Sequence, residues 1–573
     1  MIEIISDNII SPLGKTSNQN YEAIRQGRSC LKRYDGFMDI PDPFVASLME
    51  NYRCRDGYTK FESMIIDSIS QALENVPSLD PSSDDVLFII SSTKGNIDLL
   101  DSRSRMSLSQ DRMCIGVSAE KIASFFSNRN RPVVVSNACI SGLCAEIYAA
   151  RILRKSQYKY VIVSGCDVQS RFIISGFQSF HALSSSECRP FDIDRSGLNL
   201  GEAAATIIFK RSDNEESEKM ESRWIVSNGS IRNDAYHISS PSKTGEGCMR
   251  VLQDVIKDVD IDDIGLISTH GTSTLYNDEM ESYAIERAGL SSIPANSLKG
   301  YFGHTMGAAG ILETIISMKE IESGRILGTR GFQEYGVSHR INVSGEERPT
   351  DKKKFIKLLS GFGGCNAAML FEYSDHSTEN ETEEKDFSYS QLHHVFILPY
   401  DVIVDGQRMN VEGEGLNMLS ELYHRCECNY PKFFKMDALS RLGFVASELL
   451  LNQLADRNSY SEKRNIIFFG KTGSLWNDMR YQQTIDDMND YYPSPAVFVY
   501  TLPNIITGEV AIRNKYFGET SFFLLEDRDD DIIRLVAEQS MESSGATSAI
   551  VGWLDYVDDN NFVADIKLVS TNL

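Results

Sequence analysis

Three residues offer reactive groups that the rest of the chain must organise: Cys139 in VSNACISGLCA, His270 in STHGTST and His304 in KGYFGHTMGAAG. Cys139 ends the apolar run PVVVSNA and opens the helix-patterned ISGLCAEIYAARIL. It therefore falls at a strand-to-helix junction, where free N–H groups and the helix dipole favour a thiolate. Taken alone, such a cysteine reads more readily as an inert core thiol, because free cysteines are among the most buried residues. The histidines change the balance. Each is flanked by glycine and threonine, which permit close backbone approach, so the two suit paired donors or bases around one reacting centre. Lys299 precedes His304 by five residues and Glu281 follows His270 by eleven. They are either solvated charges or a buried pair that holds the histidines in place. SGFGGCNAA, residues 360–368, is a flexible turn whose backbone amides suit an oxyanion hole.

Short β-rich runs (MIEIISDNIIS, DVLFIISS, PVVVSNA, YVIVSGCD, AAATIIF) alternate with helix-period segments such as KFESMIIDSISQALENV. That is the pattern of an α/β domain with buried strands. A second βα series follows from Trp224 through DIGLISTHGTS to FIKLLSGFGGCNAAMLFEY. The polar stretch at 376–388 reads as a linker. Beyond it, β-rich runs resume in residues 389–573. Setting Cys139 over Asp527 sets Asp167 over Asp555 without a gap and lays PVVVSNAC on TSFFLLED, so the tail reads as a second copy of the chain's first half without the cysteine.

The 573 residues, 42% hydrophobic and 24% charged, have ordinary globular composition. The net charge of −24 argues against a nucleic-acid partner. Residues 376–573 hold 32 acidic and 16 basic side chains, so most of the excess sits in the tail. No apolar run approaches the roughly 18 residues that span a bilayer, and the N-terminus lacks signal-peptide features; a cytoplasmic protein with no membrane partner is expected. The eleven cysteines are scattered, as suits reduced thiols. Cys426 and Cys428 are too close together and too isolated for zinc. GKTGS at 470–474 lacks the earlier glycine of a phosphate loop, Asn465 standing there.

Together, NACISG, CRPFDIDRSGLNLGEAAA (188–205), HGTST with Asn277, Asp278 and Glu281, KGYFGHTMGAAG (299–310) and SGFGGCNA resemble the elongating β-ketoacyl-ACP synthases, condensing enzymes of the thiolase fold. The resemblance covers residues 1–375. It implies an α/β, thiolase-like fold with duplicated five-stranded mixed sheets in αβαβα layers, to which the tail adds a half-thiolase-like α/β domain that cannot catalyse. Ser273 and Ala203 stand where the family has glycine, and Cys365 where it has threonine.

The resemblance further implies that Cys139 takes an acyl chain from acyl carrier protein (ACP) as a thioester. Backbone N–H groups of Cys139 and Phe362 would form the oxyanion hole, and Phe362 would gate the acyl pocket. His270 and His304, as neutral imidazoles, would bind the malonyl thioester carbonyl. Lys299 and Glu281 would be the supporting pair, and Thr272, Thr274, Gly363 and Gly364 would line the substrate site. No metal or organic cofactor is implied, since phosphopantetheine arrives on the ACP. Arg151, Arg154, Lys155 and Lys159 are candidates for the ACP landing patch. In the family, the strand leading to the nucleophile pairs with its partner across the dimer twofold axis. TSFFLLED is therefore expected to replace that partner strand, in cis or in trans, giving a homodimer or a pseudo-dimer. The alternative is a non-catalytic partner of the chain-length-factor kind, although such subunits lack the cysteine. Fatty acid elongation competes with a specialised polyene or polyketide pathway, which the fused tail favours.

Overall fold

The computed structural model describes all residues except 102, 104–107, 213–222, 375–386, 456, 459–460 and 572–573, so residues 376–386 of the expected linker lie outside the described residues. Three five-stranded sheets repeat one topology. In the first, β1 (Ile2–Ile10), β2 (Val86–Ser91), β3 (Val133–Val135), β4 (Tyr160–Asp167) and β5 (Ala203–Arg211) lie in the order β3-β2-β4-β5-β1. The three strands β3, β2 and β4 are parallel, β5 runs antiparallel to them, and β1, antiparallel to β5, again runs with the first three. In the second, β6 (Arg223–Asn233), β7 (Ile264–Ser268), β8 (Pro294–Asn296), β9 (Lys354–Gly361) and β10 (Cys365–Ser374) give β8-β7-β9-β10-β6 with the same directions. In the tail, β11 (Tyr389–Leu398), β12 (Arg464–Gly470), β13 (Thr520–Leu524), β14 (Ser548–Asp558) and β15 (Asn561–Thr571) give β13-β12-β14-β15-β11, again with the same directions.

The central parallel strands read as unbroken apolar runs because helices cover both faces. Helices α1 (Lys60–Glu74) and α2 (Ile115–Phe125) cover the outer face of the first sheet, while α3 (Ser141–Lys155) lies on its inner face. The second sheet is covered outside by α5 (Glu246–Val255) and α6 (Leu275–Arg287) and inside by α7 (Ala309–Ser323). A further helix, α4 (Arg171–Ser179), follows β4. The central helices α3 and α7 touch through glycine: a Cβ on Gly142 would lie 2.8 Å from Gly307 O, and one on Gly310 would collide with the backbone of Leu143. That closeness draws the N-terminus of α3 and the loop before α7 into one place. These are the αβαβα layers of a thiolase-like fold.

The tail contributes α8 (Ala438–Leu451), α9 (Leu475–Asp486), α10 (Ile505–Asn514) and α11 (Asp530–Ser544). Its edge strand β13 pairs antiparallel with β3, Phe523 opposite Val135 and Leu524 opposite Val134, so the first sheet continues into the tail. Val135 and Phe523 are the two residues that the sequence repeat superposes, so the local twofold axis passes between them. The same duplication explains GKTGS. Asp555 accepts from the Lys471 and Thr472 N–H groups (3.2 and 2.8 Å) and from Thr472 Oγ1 (2.7 Å), just as Asp167 accepts from the Thr93 and Lys94 amides and Thr93 Oγ1. The loop's amides are spent on a carboxylate of the fold.

Helix α11 is the counterpart of α3 but has no counterpart of α7 to face. Its outward residues Asp530, Asp531 and Arg534 are exposed, while Ile533, Val536, Ala537 and Met541 cover the tail sheet. A polar outer face thus takes the place of the missing half. Among the described residues no single helix is long and apolar enough to cross a membrane.

Two buried ion pairs cross the seam, each with its cation on the catalytic side. Arg151 Nη1 lies 2.9 Å from Glu519 Oε2, and Lys94 Nζ lies 2.7 Å from Asp478 Oδ1. Removing one member of a buried pair strands the other charge in low dielectric, at a cost of about 3–5 kcal/mol, whereas an exposed pair is worth about 1 kcal/mol or less. Glu519→Ala should therefore lower resistance to urea strongly, and Glu542→Ala, which removes a half-exposed partner of Lys155, should leave it nearly unchanged. Equal effects in urea melts would show that the seam does not hold the two parts together.

Candidate active site

Cys139 sits in a one-turn helix, Ala138–Ile140, between β3 and α3. Ala138 before it adopts φ +48°, a left-handed conformation that an L side chain takes at a cost and that is kept where surrounding contacts over-determine it. Those contacts are visible. Ser141 Oγ accepts from Asn137 N (2.8 Å) and donates to Ala138 O (2.6 Å). The Asn137 side chain then reaches the tail, its Nδ2 donating to Thr520 O (3.1 Å) and its Oδ1 accepting from Phe522 N (2.9 Å). The turn that presents the thiol is thus tied to β13.

His270 follows β7, and His304 lies in the loop between the short helix Lys299–Phe302 and α7. Nucleophile and bases converge: Cys139 Sγ and one ring nitrogen of each histidine lie within 4.8 Å of one another, and the two rings meet edge to face with centroids 5.2 Å apart. Each histidine is fixed through its backbone. Glu281, on α6, accepts from His270 N (2.5 Å) and Gly271 N (2.8 Å), and Asp278, one turn earlier, accepts from Thr272 N (2.9 Å) and Ser273 N. His304 N donates to Asn199 O (2.7 Å). Asp167 takes Gly307 N (2.8 Å), which anchors the far side of that loop. Ser273 stands at φ +67°, which accounts for the glycine that the family resemblance leads one to expect there.

The expected Lys299–Glu281 pair is corrected. Lys299 Nζ pairs with Glu313 Oε1 (2.8 Å), and the second oxygen of Glu313 takes Lys357 Nζ (2.6 Å). Lys357 also donates to Ser268 O (3.0 Å) and Thr269 O (3.2 Å), at the end of the strand that carries His270. Glu281 is occupied instead with the amides of the His270 loop. Lys357 and Glu313 were not singled out from the sequence, yet each is a charge inside an apolar element, FIKLLS and ILETIIS, where an ion belongs only with a partner.

Electrostatics set the protonation states. Burial, reinforced by the Lys299 and Lys357 ammonium groups, holds both imidazoles well below the usual histidine range, so they are neutral. His304 Nδ1 accepts a long hydrogen bond from Met306 N (3.4 Å), which puts its proton on Nε2. That Nε2, like His270 Nδ1, is buried without a protein partner. Burial pushes the Cys139 thiol up to about 12, with Lys299 opposing, so burial outweighs the helix-terminus effect and the resting group is a thiol. Burial raises Glu281 to about 7, against the pull of the two amides it accepts.

Around this centre, Thr272 and Thr274 share a hydroxyl hydrogen bond of 2.9 Å. The loop 361–365 abuts the nucleophile: a Cβ on Gly361 would lie 3.3 Å from Cys139 N. Gly363 and Gly364 take φ +91° and +72°, which demands glycine. Phe362 rests its ring against Phe177 and Phe180, with centroids at 6.3 and 5.7 Å. Cys365 is buried behind it, its Sγ 3.2 Å from Phe362 O. Of the expected landing patch, Arg151 is buried in its pair with the tail's Glu519 and so is taken out, whereas Arg154 and Lys155 are exposed and Lys159 half-buried, with Lys155 beside Glu542 and Arg154 donating to Ser227 O.

The histidines have a thermodynamic signature. A histidine whose folded pKa is depressed stays neutral while the unfolded chain takes up a proton below about 6.5. Stability therefore falls as pH drops through that value, by about 1.4 kcal/mol per pH unit for each such group. Buried carboxyls raised into this range, Glu281 to about 7 and Glu146 and Glu320 to about 8, act in the opposite sense in every variant, so the histidines are read by difference: from pH 7.5 to 5 the melting temperature of the wild type should lose more, or gain less, than that of the His270→Asn, His304→Asn double variant. An unchanged slope in that variant would contradict neutral buried imidazoles.

Comparison with known proteins agrees with the geometry. Residues 58–215 match the N-terminal domain, and residues 224–333 the C-terminal domain, of the β-ketoacyl synthases. The 3-oxoacyl-[acyl-carrier-protein] synthase 2 of Vibrio harveyi is 24% identical over 400 residues, which cover 64% of this chain and 96% of that protein. The synthase 2 of Rhizobium meliloti is 30% identical over 257 residues, 42% of this chain and 61% of that protein. Among solved structures, the PfaC keto synthase–chain length factor matches all of this chain and 78% of its own, with a TM-score of 0.77 at 13% identity. The ketosynthase ApeO with its chain length factor ApeC, from Xenorhabdus doucetiae, covers 65% of this chain and 98% of its own, with a TM-score of 0.58 at 21% identity. Matched motifs, two domain models and a converged Cys-His-His centre place this chain in the β-ketoacyl synthase family of condensing acyltransferases.

Proposed function

We propose that the protein is a β-ketoacyl-ACP synthase that condenses an acyl group held on Cys139 with malonyl-ACP to give 3-oxoacyl-ACP and carbon dioxide. The observation that carries this reading is the meeting of a thiol and two neutral imidazoles, each with one buried ring nitrogen that lacks a protein partner. In the first half-reaction, Cys139 Sγ attacks the acyl thioester carbonyl, its proton passes to the departing pantetheine thiolate, and the backbone N–H groups of Cys139 and Phe362 hold the oxyanion. In the second, His304 Nε2–H and the N–H of His270 hydrogen-bond the malonyl thioester oxygen. As carbon dioxide leaves, the electron pair of the broken carbon–carbon bond forms an enolate that attacks the acyl-Cys139 carbonyl; the carbon–sulfur bond to Cys139 breaks, and the expelled thiolate takes a proton from solvent to restore the thiol. Neutral donors suit this task because they stabilise the charge that develops without an ionised group in the resting site.

Lys299, Lys357 and Glu313 act behind the histidines, keeping them neutral and aimed. Thr272, Thr274, Gly363 and Gly364 line the approach of the phosphopantetheine arm. That arm arrives on ACP, and the thioester itself acidifies the reacting carbon, so the reaction needs no resident metal or organic cofactor. The edge of β3 is already taken by β13 of the same chain, which favours a pseudo-dimer within one polypeptide over a homodimer through that edge. The reducing cytoplasm suits a nucleophilic thiol among eleven free cysteines. The tail beside the catalytic half favours a specialised polyene or polyketide pathway over bulk fatty acid elongation.

A non-catalytic role shaping another synthase's pocket is the second reading, favoured only by the tail's degeneracy, with Glu526 and Asp527 at the end of the strand matching that of Cys139. Intact-protein mass spectrometry after incubation with a panel of acyl-ACPs separates the two. The wild-type chain should gain one acyl group on Cys139 and lose it to malonyl-ACP, and Cys139→Ala should gain none. His304→Ala should acylate yet release carbon dioxide about 10²- to 10³-fold more slowly. Undiminished 3-oxoacyl-ACP formation by Cys139→Ala would end the proposal.

A further inference from the structure

The loop that carries Phe362 is held by its carbonyls. Gly363 O accepts from Asn233 Nδ2 (2.9 Å) and Gly364 O from Asp234 N (2.7 Å), both within the catalytic domain. The peptide between Phe362 and Gly363 is gripped at both ends: its N–H donates to Ile238 O (2.7 Å), and its C=O accepts from Asn504 Nδ2 (2.8 Å). Apart from the 3.2 Å approach of Cys365 Sγ, that carbonyl has its donor in the tail. Asn504 Nδ2 also lies 3.7 Å from Cys365 Sγ, so it reaches both flanks of the loop.

Asn504 is placed where it would be expected to do something else. It is the N-cap of α10, a position where asparagine ordinarily turns its side-chain oxygen onto the helix's first amides. Here it makes no side-chain cap hydrogen bond. Its amide group faces the loop, and Oδ1 is left buried without a partner. One turn on, Gly508 lets the helix settle against the loop, since a Cβ there would lie 2.5 Å from Gly363 O. A helix start that forgoes its own cap and strands a buried oxygen is organised around the loop it touches.

We propose that Asn504 is a positioning residue for catalysis: by anchoring the Phe362 carbonyl from the tail, it fixes the loop whose preceding amide, Phe362 N–H, completes the oxyanion hole beside Cys139. The tail would then be a working part of the site although it carries no reactive group. The inference rests on the function proposed above, in which acyl transfer to Cys139 uses that donor.

The test compares two reactions of Cys139 in the full-length protein. Acylation by acyl-ACP needs the oxyanion hole, and alkylation by iodoacetamide needs only a reachable thiol. In Asn504→Leu, which removes the donor, acylation should slow about 10-fold or more, as small displacements of positioned groups do, while the alkylation rate at Cys139 stays within about 2-fold of wild type. Asn504→Ala gives the same comparison should the leucine hinder folding. Acylation at the wild-type rate in both variants, or an equal fall in the two reactions, would overturn the proposal. A wild-type chain that accepts no acyl group would instead sink the function on which the inference depends, and the inference with it.

Discussion

One edge-to-edge contact governs this molecule: β3, the strand that ends at the nucleophile, completes its hydrogen bonding on β13 of the tail. An open β3 would present unpaired backbone groups next to the reactive thiol, and unpaired edges invite association with another chain. Here the pairing is internal and centred on Val135 and Phe523, and it continues past the strand ends through Ser136 N to Phe522 O and through the Asn137 side chain. The conformation of Ala138, and hence the direction in which Cys139 points, is therefore set partly by residues nearly 400 positions away. The buried pairs Arg151–Glu519 and Lys94–Asp478 orient the contact: cations lie on the catalytic side and acids in the tail. The tail's acidity has its structural use here.

The centre itself follows from layer packing. Glycines at 142 and 310 let α3 and α7 approach so closely that the start of one and the loop before the other meet, and Asp167 ties that loop to the first sheet through Gly307 N. At that meeting point burial keeps both imidazoles neutral and the thiol protonated, whereas the ammonium groups of Lys299 and Lys357 overcome burial at Glu313 and hold its carboxyl below the usual range.

Much of this is legible in the sequence, and the reasons differ by element. The three reactive residues could be named because each sits in a short connection near glycine, Cys139 after β3, His270 after β7 and His304 ahead of α7, a local signal. The repeat could be found because an ungapped register keeps Asp167 over Asp555 as well as Cys139 over Asp527, and the structure gives both carboxylates the same task. The pairing of Lys299 could not be read, because the choice between Glu281 and Glu313 depends on which helix face each acid occupies once α6 and α7 are packed on opposite sides of one sheet. The commitment of Arg151 is hidden for a related reason: it is as cationic as a landing patch requires, but only the docked tail reveals that its partner, Glu519, is already present. Asn504 gives no signal in sequence, since a buried donor aimed at a distant carbonyl leaves no spacing to detect.

The strand contact can be tested directly by cross-linking. Val134 and Leu524 face each other across β3 and β13, a separation that a disulfide spans when both become cysteine. The account predicts that the oxidised Val134→Cys, Leu524→Cys protein forms an intrachain bond, migrates at the mass of one chain and still accepts an acyl group on Cys139. A bond between two chains, or none under oxidising conditions, would contradict an internal pseudo-dimer built on this register.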